Sequence, residues 1–180
     1  MGDWRKFLSP ERRRRQPPEA LLDRLGSSPG PVLEVGCGPG FWTLPLADRA
    51  GGGGWVAAVD PSRPMLRVLR ERAGDRPVVP VLARGGALPF RRAAFGRAFA
   101  VNVLHEVDDP AAVVADTLRC VGPEGDLVVV DFEARPSPFG PPVERRIPAQ
   151  RMARWLERAA ARVERLDVYA DFYVYRARPA

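Results

Sequence analysis

Pro31-Val32-Leu33-Glu34-Val35-Gly36-Cys37-Gly38-Pro39-Gly40-Phe41-Trp42-Thr43-Leu44-Pro45-Leu46-Ala47 decides how this chain folds. Val32, Leu33 and Val35 make a short apolar run interrupted by one acid. Three glycines in five residues then form a turn too flexible for regular structure, and apolar residues at helical spacing follow. The pattern is strand, tight turn, helix, with bare backbone offered to a ligand beside the start of a helix. A dinucleotide fingerprint needs glycine at position 41, which is Phe. A Walker loop needs a Gly-Lys pair, and this stretch has no lysine.

Glu34-x-Gly36-x-Gly38-x-Gly40 resembles motif I of the class I S-adenosylmethionine-dependent methyltransferases. Trp55-Val56-Ala57-Ala58-Val59-Asp60 reads as a second buried strand, ending in an acid twenty residues beyond Gly40. In a βαβ unit such an acid lies beside the glycine turn and accepts hydrogen bonds from ribose hydroxyls. Pro61 and Met65 open the next helix and offer apolar surface to an adenine ring. The resemblance therefore implies S-adenosylmethionine as cofactor, held by Glu34, Gly36, Cys37, Gly38, Gly40, Asp60, Pro61 and Met65.

Outward from this core, the chain alternates strand and helix patterns. A helix starts at Pro17-Pro18 and stops at Gly26. A crossover helix is expected over 41–50, a flexible break over 51–54, and a helix carrying Met65, Leu66, Val68, Leu69 and Ala73 on one face. Strands are expected over 78–82, 98–104 and 127–132, with a helix over 113–121 after Asp109-Pro110. Met152, Trp155, Leu156 and Val163 recur at helical spacing, and two strands, 163–169 and 172–176, follow with a tight joint at Ala170-Asp171. The expected fold is a single α/β domain spanning 1–180. By resemblance it is a Rossmann-like, doubly wound sheet of about seven strands, mostly parallel with an antiparallel C-terminal hairpin strand.

With 180 residues and 46% apolar content, the chain can bury a real core. No apolar run approaches twenty residues and the basic start lacks a signal-peptide core, so a cytoplasmic protein with no membrane partner is expected. One histidine and two cysteines are too few for a structural zinc site, and no metal is expected. The charge is unevenly placed. Residues 1–15 are net +4, residues 144–165 are also net +4, and residues 16–143 are net −2. The basic character belongs to two appendages rather than to the core.

Leu88-Pro89-Phe90, Phe95, the run from Val103 to Pro110, and Leu118-Arg119-Cys120-Val121-Gly122-Pro123-Glu124-Gly125 are similar to successive blocks of small bacterial "type 11" methyltransferases. Two positions depart from that pattern. Arg84 stands where the family places an acid for the adenine amine, and a guanidinium has no acceptor to offer. Backbone at Arg84 and Gly85 is then expected to serve the adenine edge. Gly96 replaces the acid of a Phe-Asp pair, which bears on loop packing.

Methyl transfer needs alignment of the nucleophile and exclusion of water, and a base only where the acceptor must lose a proton. Asn102, His105 and Glu106 follow the fourth strand, at the edge where open α/β sheets bind ligands. Imidazole is the side chain whose ordinary range suits base work near neutrality, which makes His105 the candidate catalytic residue. A bond from its ring to backbone in the turn is the structural alternative. Asn102 suits a cofactor contact or a loop anchor. Trp4 and Phe7, in the N-terminal segment 1–15, could form a lid, and two basic appendages at one mouth would favour an anionic acceptor.

The leading expectation is an enzyme that methylates a small molecule. An RNA or protein methyltransferase, with the arginines at 12–15 on phosphates, stands behind it, because the core charge is balanced. A non-catalytic S-adenosylmethionine-binding protein is the third reading, suggested by Arg84. The sequence leaves the acceptor and the oligomeric state open.

Overall fold

The computed structural model describes residues 4–28, 30–50, 54–160 and 162–179. A 3₁₀ turn, Trp4–Leu8, leads into α1 (Pro10–Arg15) and α2 (Pro18–Leu25). There follow β1 (Val32–Val35), α3 (Thr43–Asp48), β2 (Val56–Asp60), α4 (Arg63–Ala73), β3 (Val78–Leu82) and β4 (Phe95–Val101). The last part holds α5 (Pro110–Cys120), β5 (Val121–Phe132), α6 (Ala149–Ala159), β6 (Arg162–Leu166) and β7 (Phe172–Arg178). The strands form a seven-stranded sheet in the order β3-β2-β1-β4-β5-β7-β6. β1 to β5 run parallel, and β7 is antiparallel to both β5 and β6. This is the expected doubly wound architecture with its reversed C-terminal strand.

Strand residues alternate between two buried faces. Leu33, Val35, Ala57, Val59, Leu127 and Val129 face one core, which α5 and α6 close with Val113, Leu118, Met152 and Leu156. Val32, Val56, Phe99, Val128 and Val130 face the other, closed by Leu21, Leu22 and Leu25 of α2 and Leu46 of α3. α4 adds Leu66 and Leu69 over Ala58. Helices on both faces explain why the central strands read as continuous apolar runs. The chain leaves β1 toward β2 on one side and returns to β4 on the other, so the connections beyond the carboxyl ends of the paired strands β1 and β4 part and leave a crevice.

Four boundaries differ from the sequence reading. The first crossover helix begins at Thr43, because turns closed by Gly40 N–H on the Cys37 carbonyl and Leu44 N–H on the Gly40 carbonyl occupy 37–44. β4 ends at Val101, since Asn102 takes a positive φ of 52°. β5 starts at Val121, and residues 122–125 bulge between the pairs Phe95↔Val121 and Arg97↔Asp126. β6 stops at Leu166 because side chains recruit the next residues out of the ladder: Arg24 bonds the Asp167 carbonyl, and Tyr169 bonds the Pro17 carbonyl. Of the expected break at 51–54, residues 51–53 lie outside the described residues.

A buried ion cluster ties the lower end of the sheet. Arg97 donates to both oxygens of Asp126, at 2.6 and 3.1 Å, and Arg176 donates to the same carboxylate at 2.7 Å. Arg97 also bonds the carbonyls of Leu25 and Gly26, which pins the end of α2. Removing one partner of such a cluster strands buried charge, so Asp126→Ala should lose on the order of 3–5 kcal/mol in urea unfolding. A loss below about 1 kcal/mol would mean that the arginines find other partners.

Candidate functional site

The glycine turn is held from below and open above. Gly36, Gly38 and Gly40 all have positive φ, at 74°, 51° and 90°. A Cβ on Gly36 would lie 2.3 Å from Val103, and one on Gly40 would lie 2.5 Å from Leu69. A Cβ on Gly38 would meet nothing within 4 Å. Packing therefore accounts for two of the glycines, whereas Gly38 borders free space. Its N–H donates to Asp60 Oδ2 at 2.8 Å, and the Ser62 N–H donates to Oδ1 at 2.8 Å. Burial pushes the Asp60 carboxyl up, opposed by these two bonds. A carboxylate has about four acceptor sites, so each oxygen keeps capacity for a hydroxyl donor.

A buried carboxyl and a buried guanidinium influence one another behind the turn. Glu34 is buried on β1 and accepts from Thr43 Oγ1 at 2.5 Å. Burial pushes its carboxyl up to about 8, against the Thr43 bond and the Arg12 charge, while Asp60 adds to the rise. The Arg12 guanidinium stacks over Phe41 with 4.3 Å to the ring centroid and donates to the Phe7 carbonyl at 3.0 Å. Burial lowers it to about 10, with Glu34 opposing. Its Nε is enclosed, with no hydrogen-bond partner among the described residues.

α1 acts as a strap across the mouth. Gln16, its C-cap, is fully buried and bonds Asn102 in both directions, at 2.9 and 3.3 Å. Trp42 Nε1 approaches the same Gln16 oxygen at 3.5 Å. Arg15 pairs with Asp171 at 2.7 Å and lies over Phe139. Leu8 and Arg13 line a cavity of about 220 Å³ beside Gly40, Phe41, Leu44, Pro45 and Arg72. Arg12 and Gln16, rather than Trp4 and Phe7, reach the residues around the turn; Phe7 is exposed and Trp4 stacks with Arg5. Only one basic appendage borders the turn in this way. In the other, Arg151, Arg154 and Arg158 are exposed on α6.

The remaining candidates divide. Pro61 is exposed at the end of β2, and Met65 is half-buried with its N–H capped by Ser62. Arg84 points to solvent, while its carbonyl accepts from the Ala87 N–H at 3.3 Å. A Cβ on Gly85 would lie 2.8 Å from Val113, so glycine there serves packing. Cys37 is buried, and burial pushes its thiol up. Asn102 bonds the strap and carries the bend after β4. Among the described residues His105 bonds no backbone group: Nδ1 lies 2.6 Å from Asp131 Oδ1, on the neighbouring strand. Beyond β5, Arg146 is buried and donates to the carbonyls of Glu133, Arg135, Phe139 and Pro141 and to Ser137 Oγ. One guanidinium thus gathers carbonyls from both ends of the flap over 133–146.

Sequence reasoning overlooked Arg12, Gln16, Thr43 and Asp131. Asp131 carried a readable signal, an acid ending an otherwise apolar strand. Arg12 was hidden among four consecutive arginines, three of which face solvent or surface pairs.

Residues 33–129 match the family model described as "Methyltransferase domain". The fold is similar over its full length to a SAM-dependent methyltransferase from Aquifex aeolicus, with a TM-score of 0.91, 24% identity, and 100% of each chain covered. Among curated relatives, the chain is 37% identical to a demethylmenaquinone methyltransferase of Renibacterium salmoninarum over 67% of its own length and 48% of the relative's. It is 35% identical to nocamycin O-methyltransferase of Saccharothrix syringae, over 68% and 43%. The chain therefore spans less than half the length of either relative.

The raised Glu34 carboxyl couples stability to pH. The folded state holds this proton up to about pH 8, whereas an unfolded glutamate releases it near its ordinary 4.5. The contribution is complete below about 4.5 and disappears as pH rises through 8. Glu34→Gln, neutral throughout, should therefore gain on wild type between pH 5 and 9 by on the order of a few kcal/mol in urea unfolding. Parallel pH profiles for the two proteins would show that Glu34 is ionised when folded.

Proposed function

The chain belongs to the methyltransferase-domain family, class I of the S-adenosylmethionine-dependent fold, and we propose that it methylates a small acceptor with S-adenosylmethionine. One observation carries the reading: the free space before Gly38, whose N–H is already fixed by an Asp60 carboxylate with acceptor capacity to spare. A nucleoside fits this cradle. Asp60 accepts from the ribose hydroxyls, and Gly38 lets the backbone approach without a side chain. Arg12 offers a positive charge to the carboxylate of the cofactor's amino-acid end, and the buried Glu34 carboxyl, still protonated near neutrality, lies behind it.

When bound, the cofactor supplies a methyl group on a sulfonium, an already activated electrophile. The protein's part is to align the acceptor and exclude water. The strap over the turn and the Arg146-clipped flap serve both ends. Charge favouring an anionic acceptor comes from the N-terminal segment, since the Arg146 guanidinium is spent on carbonyls. The names of the relatives, with a demethylated quinone and a natural product as acceptors, support a small organic molecule.

The RNA or protein reading draws only on the exposed arginines of α1 and α6, and those are most simply solvated. Gel-shift with RNA that weakens steeply with salt would revive it.

Calorimetry should show binding of S-adenosylhomocysteine and no response to NAD. Binding of NAD with silence toward the adenosyl compound would refute the proposal. Asp60→Ala should weaken cofactor binding by roughly 1.5–3 kcal/mol for each hydrogen bond lost to a charged acceptor. Arg84→Ala, removing a side chain that faces solvent, should leave affinity within about twofold. An unchanged Asp60→Ala affinity in a folded protein would reduce that residue to a strand-end cap.

A further inference from the structure

We propose that His105 and Asp131 form a proton-accepting dyad, and that the acceptor is an aromatic hydroxyl compound; this rests on the methyl-transfer reading above. His105 sits in the 3₁₀ turn Leu104–Glu106, just beyond Asn102 and the crevice. Its Nδ1 lies 2.6 Å from Asp131 Oδ1, which also accepts the Phe132 N–H at 2.9 Å. Two bonds fix the carboxylate, and the carboxylate fixes the ring. Asp131 is 1% exposed and directly follows the buried run Val128, Val129 and Val130. A buried acid there serves the fold poorly, because an apolar residue would avoid its desolvation.

The arrangement selects a tautomer. With Nδ1–H donated to Asp131, the neutral ring presents Nε2 as a bare acceptor. In the resting geometry Glu106 Oε1 lies 3.3 Å from Nε2 and covers it, leaving the His105 side chain 4% exposed; that glutamate, itself 58% exposed, must swing out before Nε2 can accept from an incoming hydroxyl. The third titratable group is Tyr173, paired in register with Asp131 on β7. Burial pushes its phenol far up, so it stays neutral. Asp131 Oδ2 and the Tyr173 hydroxyl are both buried, and neither has a hydrogen-bond partner among the described residues. Beyond the Asp131 bonds to His105 and Phe132, the fold thus leaves the second oxygen of that carboxylate free.

The half-buried Phe139, outermost of the aromatic rings beyond His105, points to a flat aromatic acceptor. Phe132 stands edge-on to His105 with centroids 5.5 Å apart, and Phe139 of the flap lies 5.7 Å from Phe132. In the proposed step the hydroxyl O–H bond breaks, and its proton forms a bond to Nε2. The electron pair left on oxygen forms the new O–C bond, while the pair of the cofactor's S–C bond stays on sulfur. The imidazolium then returns the proton to water. Asp131 is a positioning residue, holding the ring and balancing its transient charge.

His105 is the only histidine in the chain, so its two ring nitrogens can be read without overlap in a ¹⁵N-labelled sample. Long-range ¹H–¹⁵N spectra of the neutral ring should show Nδ1 protonated and Nε2 bare. Asp131→Asn should lose that single tautomer. With S-adenosylhomocysteine present, added catechol should move the Nε2 resonance and leave Nδ1–H in place. An Nε2–H tautomer in wild type, an Asp131→Asn spectrum unchanged from it, or an Nε2 resonance indifferent to millimolar catechol would each overturn the proposal. In turnover of catechol, His105→Gln should lower kcat by about 10²–10⁴-fold with little change in KM. Unaltered kcat in that variant would also overturn it. Calorimetry with S-adenosylhomocysteine on the same proteins separates the two levels: absent binding in wild type sinks the methyl-transfer reading, whereas normal binding in His105→Gln confines any failure to the dyad.

Discussion

The Asp60 carboxylate, gripping the N–H groups of Gly38 and Ser62 at once, is the constraint on which the site depends. It binds the end of β2 to the turn that follows β1, so two loops behave as one rim. Together with the Gly36 and Cys37 N–H groups, both bonded to the Val59 carbonyl, it orders three positive-φ glycines, and glycine loses more conformational freedom on ordering than any other residue. The sheet supplies the rest of the frame: parallel pairing of β1 with both β2 and β4 sets the crevice, and Gly36 and Gly40 let Val103 and Leu69 close against it. Gly38 alone is left facing outward.

Arginine does much of the joining elsewhere. Arg97 holds the lower end of the sheet, and Arg119 fastens the 88–90 segment through the carbonyls of Leu88 and Phe90. Arg12, Arg15 and Arg146 shape the upper end. A guanidinium offers five donors in a fixed fork, so it can satisfy several loop carbonyls that no ladder reaches. A lysine at 146 could not reproduce that geometry.

The sheet and both cores were legible because burial writes itself as apolar periodicity, in β1, β2 and α4 most plainly. The glycine turn and Asp60 were legible because spacing alone brings them together. What escaped was tertiary pairing between side chains distant in the chain. Nothing near Gln16 signals that it meets Asn102, and the arginine run conceals which member turns inward. His105 was singled out from its residue type, but its partner on β5 needed the sheet order. Helix and strand ends slipped where side chains, such as Tyr169 reaching Pro17, took backbone out of regular pairing. Arg84 illustrates the opposite case, a departure visible in sequence whose side chain the fold turns to solvent.

The flap over 133–146 joins short backbone turns at its ends through one side chain that collects the carbonyls between them. That separates two kinds of inheritance. The sheet, the turn and the carboxylates beneath them must be transmitted nearly intact, because each contact is shared among several strands. The flap needs only to keep a few carbonyls pointing at a common guanidinium, and residues between those anchors can drift, lengthen or exchange with little consequence for the domain beneath. Loss of that one guanidinium would therefore release both ends of the flap together while leaving the pairing of the strands beneath it in place.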